Sequence, residues 1–482
     1  MFQSIIFSGI LTQMPRDFKI SLNAVIVFFV FALLISGLLR GQSKLPDQTA
    51  QAAAVPYKNA FFDPDLKHPW NQLYGLLFIR PAWDGKLYGL DEMDQLYWRD
   101  STYLLEGDLH QKAVLQLEKF IHSGAAGLIK NPLKRALLQR MLWALFDNLA
   151  NHEARDDSTS LARERRDLET RLVRIMKAVA LSDGEINGLP GNYQREVDSK
   201  QYPAAFDSDH ADTPFLPGGF FLKSDWVEVV DLRSDVVAPV HVRGIDGRSE
   251  FHVFMRLPSG HTDTVAYLAK LNDFQPHWIT DWGKMVSPER LKEDPTPPPS
   301  VGRPPWVNPN LPQVPVLTEF ALVRRANLIN AKGDSVESPL VESVQIRVIR
   351  DLSKSVPQSE TFVDFSLDQT KLMQGDGGLV ALKKGQKVFE RVLEQNRIVS
   401  GDSLEKQLSG TSAWNGQFDL MDSCFNCHQG EGIGTMNTYT QLFREQTVRS
   451  PELLERSNPG DSDYWKSQRY DWGLLQAYWF AQ

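Results

Sequence analysis

Residues 318–329 read TEFALVRRANLI and residues 341–352 read VESVQIRVIRDL, and these two runs decide the fold class. Both are rich in β-branched residues, and both alternate apolar with polar over part of their length, as half-buried strands do. WVEVVDL at 226–232 and FHVFMRLP at 251–258 share that character, with Gly, Pro and Asp clusters between the runs. Together they predict a mainly β domain over about 215–355. It is interrupted by EDPTPPPSVGRPPWVNPNLPQVP at 293–315, a proline-rich stretch of polyproline II character. A loop of that length is either an excursion over the surface or a domain seam.

Outward from the strands the period becomes helical. In DLHQKAVLQLEKFIHSG (108–124), Val114, Leu117 and Ile121 share a face and Gly124 marks the stop. Asn131 followed by Pro132 is an N-cap with proline at the first helical position, leading into LKRALLQRMLWALFDNL. A third helix is expected over about 160–181, with Leu161, Leu168, Leu172, Ile175 and Val179 on its apolar stripe. Beyond 360, QKVFERVLEQN is expected to be helical through Val388, Phe389, Val392 and Leu393. The tail DYWKSQRYDWGLLQAYWFAQ is dense in aromatics, which either close a core or pack on something large and flat.

Residues 22–39, LNAVIVFFVFALLISGLL, are eighteen positions without a charge, the lower end of what spans a bilayer as a helix. Arg16 and Lys19 precede the run and Arg40 and Lys44 follow it. The expectation is a single-pass anchor in a bacterial inner membrane with the body in the periplasm. The alternative is a cleaved signal that leaves a soluble periplasmic protein. The fold class is thus expected to be α+β and multidomain: an anchor at 1–40, a linker at 41–66, a helical region at 67–200, a mainly β domain at 201–360 and a mainly α haem-binding region at 361–482, for the reason given next.

The 482 residues contain two cysteines, Cys424 and Cys427, three positions apart in MDSCFNCHQGEGIGTMN (421–437), with His428 directly after them. Three chemistries use such a pair. A redox dithiol wants a strand before and a helix after, whereas glycine-rich QGEGIGT follows here, and it gives the histidine no role. Zinc needs two more ligands, and no histidine follows His428, so a distant pair of histidines would have to complete the site. Covalent haem attachment uses every part: two thiols three apart each add to one vinyl group, and the adjacent imidazole reaches the iron. Two cysteines placed at random would produce this signature on the order of once in ten thousand sequences.

The segment from about 415 to 440 resembles the haem-binding segment of c-type cytochromes. That resemblance implies one haem c on Cys424 and Cys427, with His428 as proximal ligand of the iron. A single CxxCH motif sets the chain apart from dihaem peroxidases, which need two. The sixth position is left open. Cytochrome c domains usually supply a methionine some tens of residues after the motif, and here the only downstream methionine is Met436, eight positions on. The candidates are Met436, an upstream side chain such as His210 or Met373, Tyr439, or no protein ligand.

Other constellations are weaker. DSDHAD (207–212) could hold calcium or a transition metal through Asp207, Asp209, His210 and Asp212, but reads better as a solvated turn with capping aspartates. Serine-nucleophile motifs, HExxH and a phosphate loop are absent from the sequence. A net charge of −8 argues against a nucleic-acid partner. The expected function is electron transfer by a membrane-anchored monohaem cytochrome that docks a redox protein. The alternatives are a haem enzyme or sensor of peroxide, oxygen or nitric oxide with an open distal site, and a ligand-binding protein with a structural haem.

Overall fold

The computed structural model describes residues 60–81, 101–155, 161–229, 238–274, 311–354, 358–383 and 462–481, with shorter runs between them that include His428 and 432–435. The chain divides into Met1–Pro56 and one compact unit, Tyr57–Gln482. The first helices of this unit are α1 (Pro69–Phe78), α2 (Gly107–His122), α3 (Pro132–Arg155), α4 (Ala162–Ala178), α5 (Asp183–Asn187) and α6 (Asn192–Ser199). The short strands β1 (Arg80–Pro81) and β2 (Leu87–Tyr88) pair with each other between α1 and α2. Then come β3 (Val227–Glu228), α7 (Pro239–Gly244), β4 (Ser249–Arg256), α8 (His261–Asp273), β5 (Trp278–Ile279) and β6 (Trp306–Val307). The remainder comprises β7 (Glu319–Ile329), β8 (Ser335–Ile349), β9 (Glu360–Leu367), α9 (Gln369–Gln374), β10 (Leu379–Ala381), β11 (Lys387–Phe389), β12 (Gln417–Asp419), α10 (Ser462–Ser467) and α11 (Tyr470–Phe480).

The two runs that decide the fold class are β7 and β8, the centre of a six-stranded antiparallel sheet ordered β10-β9-β8-β7-β4-β3. Alternation sorts their side chains. Phe254, Ala321, Val323, Val344, Ile346 and Val363 point to one face, where Tyr193, Phe215, Phe220 and Trp226 cover them. Phe251, Val253, Met255 and Phe320 point to the other face, beneath Val242 of α7, Ile245 directly after that helix and Leu271 of α8. Register shifts at Arg324/Arg325 and Arg325/Asn327 bend the β7–β8 hairpin away from the sheet. Its far end, Leu328, Ile329 and Leu340, belongs to a third core with the helices.

In that helical core α3 is buried nearly all round, from Leu138 and Met141 to Trp143, Phe146 and Leu149. Each such side chain contributes about 1.5–3 kcal/mol. Two side-chain amides extend the ladder where neighbouring strands stop. Gln139 of α3 exchanges both hydrogen bonds with the backbone of Ile329 (2.8 and 2.9 Å), and Asn192 of α6 does so with Val341 (2.9 and 2.7 Å). Backbone groups at a buried edge thereby keep their partners.

Several sequence expectations hold. Asn131 caps α3 through its Oδ1, which accepts from Lys134 N at 3.2 Å. Gly124 ends α2 with φ +64°. Leu168, Leu172, Ile175 and Val179 are buried.

The multidomain fold class does not hold. The sheet runs through 360 without a break, since β9 and β10 are its continuation, so the unit is mixed α/β rather than a chain of helical, β and haem domains. The cause is strand pairing: Ser343–Ile349 of β8 lie against Glu360–Ser366 of β9, so residues on both sides of the expected boundary share one sheet. Residues 387–389 are not helical but strand β11, paired with β12; Val388 and Phe389 suit a strand as well as a helix, and the partner decides. The aromatic tail closes a core, with Leu475 and Trp479 buried and Trp472 against Trp143 at 5.8 Å.

No helix among the described residues is long and apolar enough to cross a membrane. That corrects the expected single-pass anchor and the inner-membrane placement of a periplasmic body, which lose their support; the apolar run 22–39 itself lies outside the described residues. The longest described helix, α3 with 24 residues, carries Lys134, Arg135, Arg140 and Asp147 and is spent on the helical core.

Candidate functional site: a histidine pair on the sheet

The site lies on the second face of the sheet. Register places Phe320, Arg347 and Phe362 side by side across β7, β8 and β9, and Ile349 opposite Glu360. Arg347 pairs with Glu360 at 3.5 Å, and its guanidinium lies 5.6 Å from the centre of the Phe362 ring.

The turn that follows the CxxCH motif, Gly432–Thr435, rests on this floor. Ile433 is buried in the core under α7 and α8, and its N–H donates to Gln313 Oε1 at 2.6 Å. Thr435 is buried; its hydroxyl donates to Gly432 O at 2.9 Å, and its carbonyl accepts from Arg347 Nη1 at 3.4 Å. Gly432 has φ +52°, and a Cβ there would overlap the Gln313 side chain, so glycine is required twice over.

His428 is held by this turn. Its Nδ1 lies 2.9 Å from Thr435 O. A carbonyl only accepts, so Nδ1 carries the proton and Nε2 presents a lone pair. Nε2 has no hydrogen-bond partner among the described residues. Facing His428 is His241 of α7, with ring centroids 6.1 Å apart and planes 32° apart. His241 also packs on Phe251, centroid to centroid 5.6 Å. Neither of its ring nitrogens has a hydrogen-bond partner among the described residues.

Burial lowers the pKa of His428 to about 3, with Arg347 and His241 adding to the effect and the Thr435 carbonyl opposing it. Burial, Arg324 and Arg347 lower that of His241 to about 4. Both rings are therefore neutral near pH 7, the form in which imidazole binds a metal.

The other sequence candidates stand elsewhere. Cys424, Cys427, Met436 and Tyr439 lie outside the described residues. His210 sits in an exposed turn, its Nδ1 2.8 Å from Asp207 Oδ2, and Asp207 also accepts from Asp209 N at 2.9 Å. DSDHAD is thus a solvated turn with a capping aspartate. Met373, in α9, packs on the helical core. Among the described residues no group of three or more His, Cys, Asp or Glu could hold a metal ion. The residue that sequence reasoning missed is His241. Its one signal is a lone histidine in PVHVRG, on a helix whose Val242 is fully buried.

Comparison of the chain with protein-family models, with curated proteins and with solved structures finds no match.

Proposed function

We propose that the chain is a monohaem c-type cytochrome that transfers electrons to or from a redox protein. The observation that carries this reading is the state of His428. Within CxxCH, its Nδ1 is tied to a backbone carbonyl while its Nε2 has no hydrogen-bond partner among the described residues. Metal-ligating histidines almost always donate the second ring N–H in this way, which fixes the tautomer and the ring orientation. The haem, when bound, supplies a one-electron couple between ferrous and ferric iron. Cys424 and Cys427 would hold it by thioethers and His428 by its Nε2. Phe251, which packs on His241, and Ile433 of the turn that holds His428 are buried together in one core beside the pair. Arg347, buried and paired with Glu360, supports the Thr435 carbonyl that orients His428.

A second reading shares the same residues. His241 beside His428 raises the ligand count with the two cysteines to four, as zinc requires. Two features weigh against it. Cys427 and His428 are adjacent in sequence, an awkward pair of ligands for one tetrahedral ion. A tetrahedral pair of imidazoles would also bring the ring centroids to about 5 Å, closer than the 6.1 Å observed.

The test is the full chain produced together with the enzymes that attach c-type haem, examined by haem stain on a denaturing gel and by metal analysis. Haem that survives denaturation and disappears in the Cys424→Ala, Cys427→Ala double variant is expected. One zinc per chain and no haem stain would overturn the proposal.

A further inference from the structure

We infer that His241 is the second axial ligand of the haem iron, so that the site is bis-histidine and closed. The inference rests on the haem reading and deepens it. Three observations carry it, and all concern where the chain puts His241.

The first is separation. Two imidazoles on opposite sides of one metal, each at about 2.0–2.1 Å, hold their ring centroids about 6.4 Å apart. The observed 6.1 Å lies near that value.

The second is the state of the nitrogens. The chain gives neither ring nitrogen of His241, nor Nε2 of His428, a hydrogen-bond partner among the described residues. At His252, another histidine on this unit, it does the opposite: Glu228 and Glu337 meet the two ring nitrogens at 2.7 and 2.9 Å.

The third is support. His241 stands on a helix opened by Pro239 and held by Val242 and Ile245 in the core that also takes Ile433 of the haem segment. One body of packing therefore positions both histidines. The other upstream candidates face elsewhere, with His210 paired to Asp207 in an exposed turn and Met373 in the helical core.

A closed bis-histidine site would favour electron transfer over reaction with peroxide, oxygen or nitric oxide, since no position is left for a small molecule. It also sets a lower reduction potential than histidine–methionine ligation, which raises it.

The haem-loaded full chain tests this by optical and electron paramagnetic resonance spectra of the ferric state and by carbon monoxide titration of the ferrous state. The wild type should be fully low-spin, without the far-red charge-transfer band of methionine ligation and without a shift on adding carbon monoxide. His241→Ala should lose the low-spin signal, gain carbon monoxide binding, and regain the low-spin signal on adding imidazole. That rescue distinguishes a missing ligand from a disturbed fold. His241→Met, which keeps a side chain in the gap, should acquire the far-red band. An unchanged low-spin spectrum in both variants would overturn the inference while leaving the haem reading intact. A wild type that is high-spin and binds carbon monoxide would do the same. A wild type with no covalent haem would instead sink the underlying proposal.

Discussion

Two groups of polar side chains in this unit are partnered differently. At the junction of α3, β4 and α10, Asp147 accepts from Arg248 at 2.9 Å and from Lys466 at 2.7 Å. Lys466 also pairs with Asp471, which accepts from Arg469 at 2.9 Å. Burial pushes the Asp147 carboxyl up to about 6, against the pull of Lys466 and Arg248. Every charge there has an opposite charge within reach, although Asp147 Oδ1 and Arg248 Nε find no hydrogen-bond partner among the described residues. His241 and His428 lie in the same unit with ring nitrogens that no side chain among the described residues meets. The contrast is the one expected if the second site, as proposed, takes a ligand from outside the chain.

The largest effect should come from opening the closed cluster. Lys466→Met leaves Asp147 and Asp471 facing each other in the interior, and breaking a buried pair from one side costs about 3–5 kcal/mol. Urea unfolding should show a midpoint lowered accordingly; a change under about 1 kcal/mol would mean that the cluster is not as closed as its distances imply.

Next is Gly432→Ala, which puts a Cβ at φ +52° into the Gln313 side chain. The expected cost is about 2 kcal/mol, accompanied by loosening of His428. Amide hydrogen exchange at Ile433 reports it directly, since that N–H is the one Gln313 accepts.

His252 gives an intermediate effect with a pH signature. Burial opposes its charge, but the hydrogen bonds from Glu228 and Glu337 win and hold its pKa up at about 9. The folded value lies above the unfolded one of about 6.5, so the stabilisation is complete below pH 6.5 and is lost as pH rises through 9. His252→Gln should cost about 2 kcal/mol at pH 6, once screening at half-exposed Glu228 is allowed for, and almost nothing at pH 10. Equal losses at both values would exclude the titration as the cause.

The smallest effect on folding should belong to the incomplete site. In the haem-free protein, His241→Ala removes no hydrogen bond to a described residue and should shift stability by about 1 kcal/mol or less. A loss comparable to that of Lys466→Met would show that His241 is a structural residue, and the contrast between the two sites would collapse.

Much of the scaffold was legible in the sequence because its signals are local. The Asn131–Pro132 start of α3, the stop at Gly124, the stripe from Leu168 to Val179 and the branched runs of β4, β7 and β8 each announce themselves within a dozen residues. CxxCH is equally local. His241 was not legible, because nothing in PVHVRG distinguishes a ligand from a core histidine until the fold brings β4, β8 and the 432–435 turn around it. Residues 387–389 were misread for a similar reason: three residues choose strand over helix only when 417–419 lie alongside. Nor does any single stretch say that one sheet passes through 360, since that depends on β8 having β9 as a neighbour.

The ion pair between Lys466 and Asp147 joins residues 319 positions apart, and Lys177 reaches Trp479 O across 302. Closing so long a loop costs little more at equilibrium than closing one half its length, about 0.6 kcal/mol. Its consequence is one of timing. At about 5–20 residues per second, the early helices emerge from the ribosome on the order of half a minute before α10 and α11 exist to cap them. Over that interval Trp143 and Phe146 lack their final cover, and Asp147 lacks its lysine. The CxxCH segment emerges within the same interval, ahead of the helices that complete the helical layer. An enzyme that attaches a group to Cys424 and Cys427 would therefore meet a chain whose last long-range contacts had still to form, and a chaperone that shields the exposed α3 surface should raise the yield of folded protein.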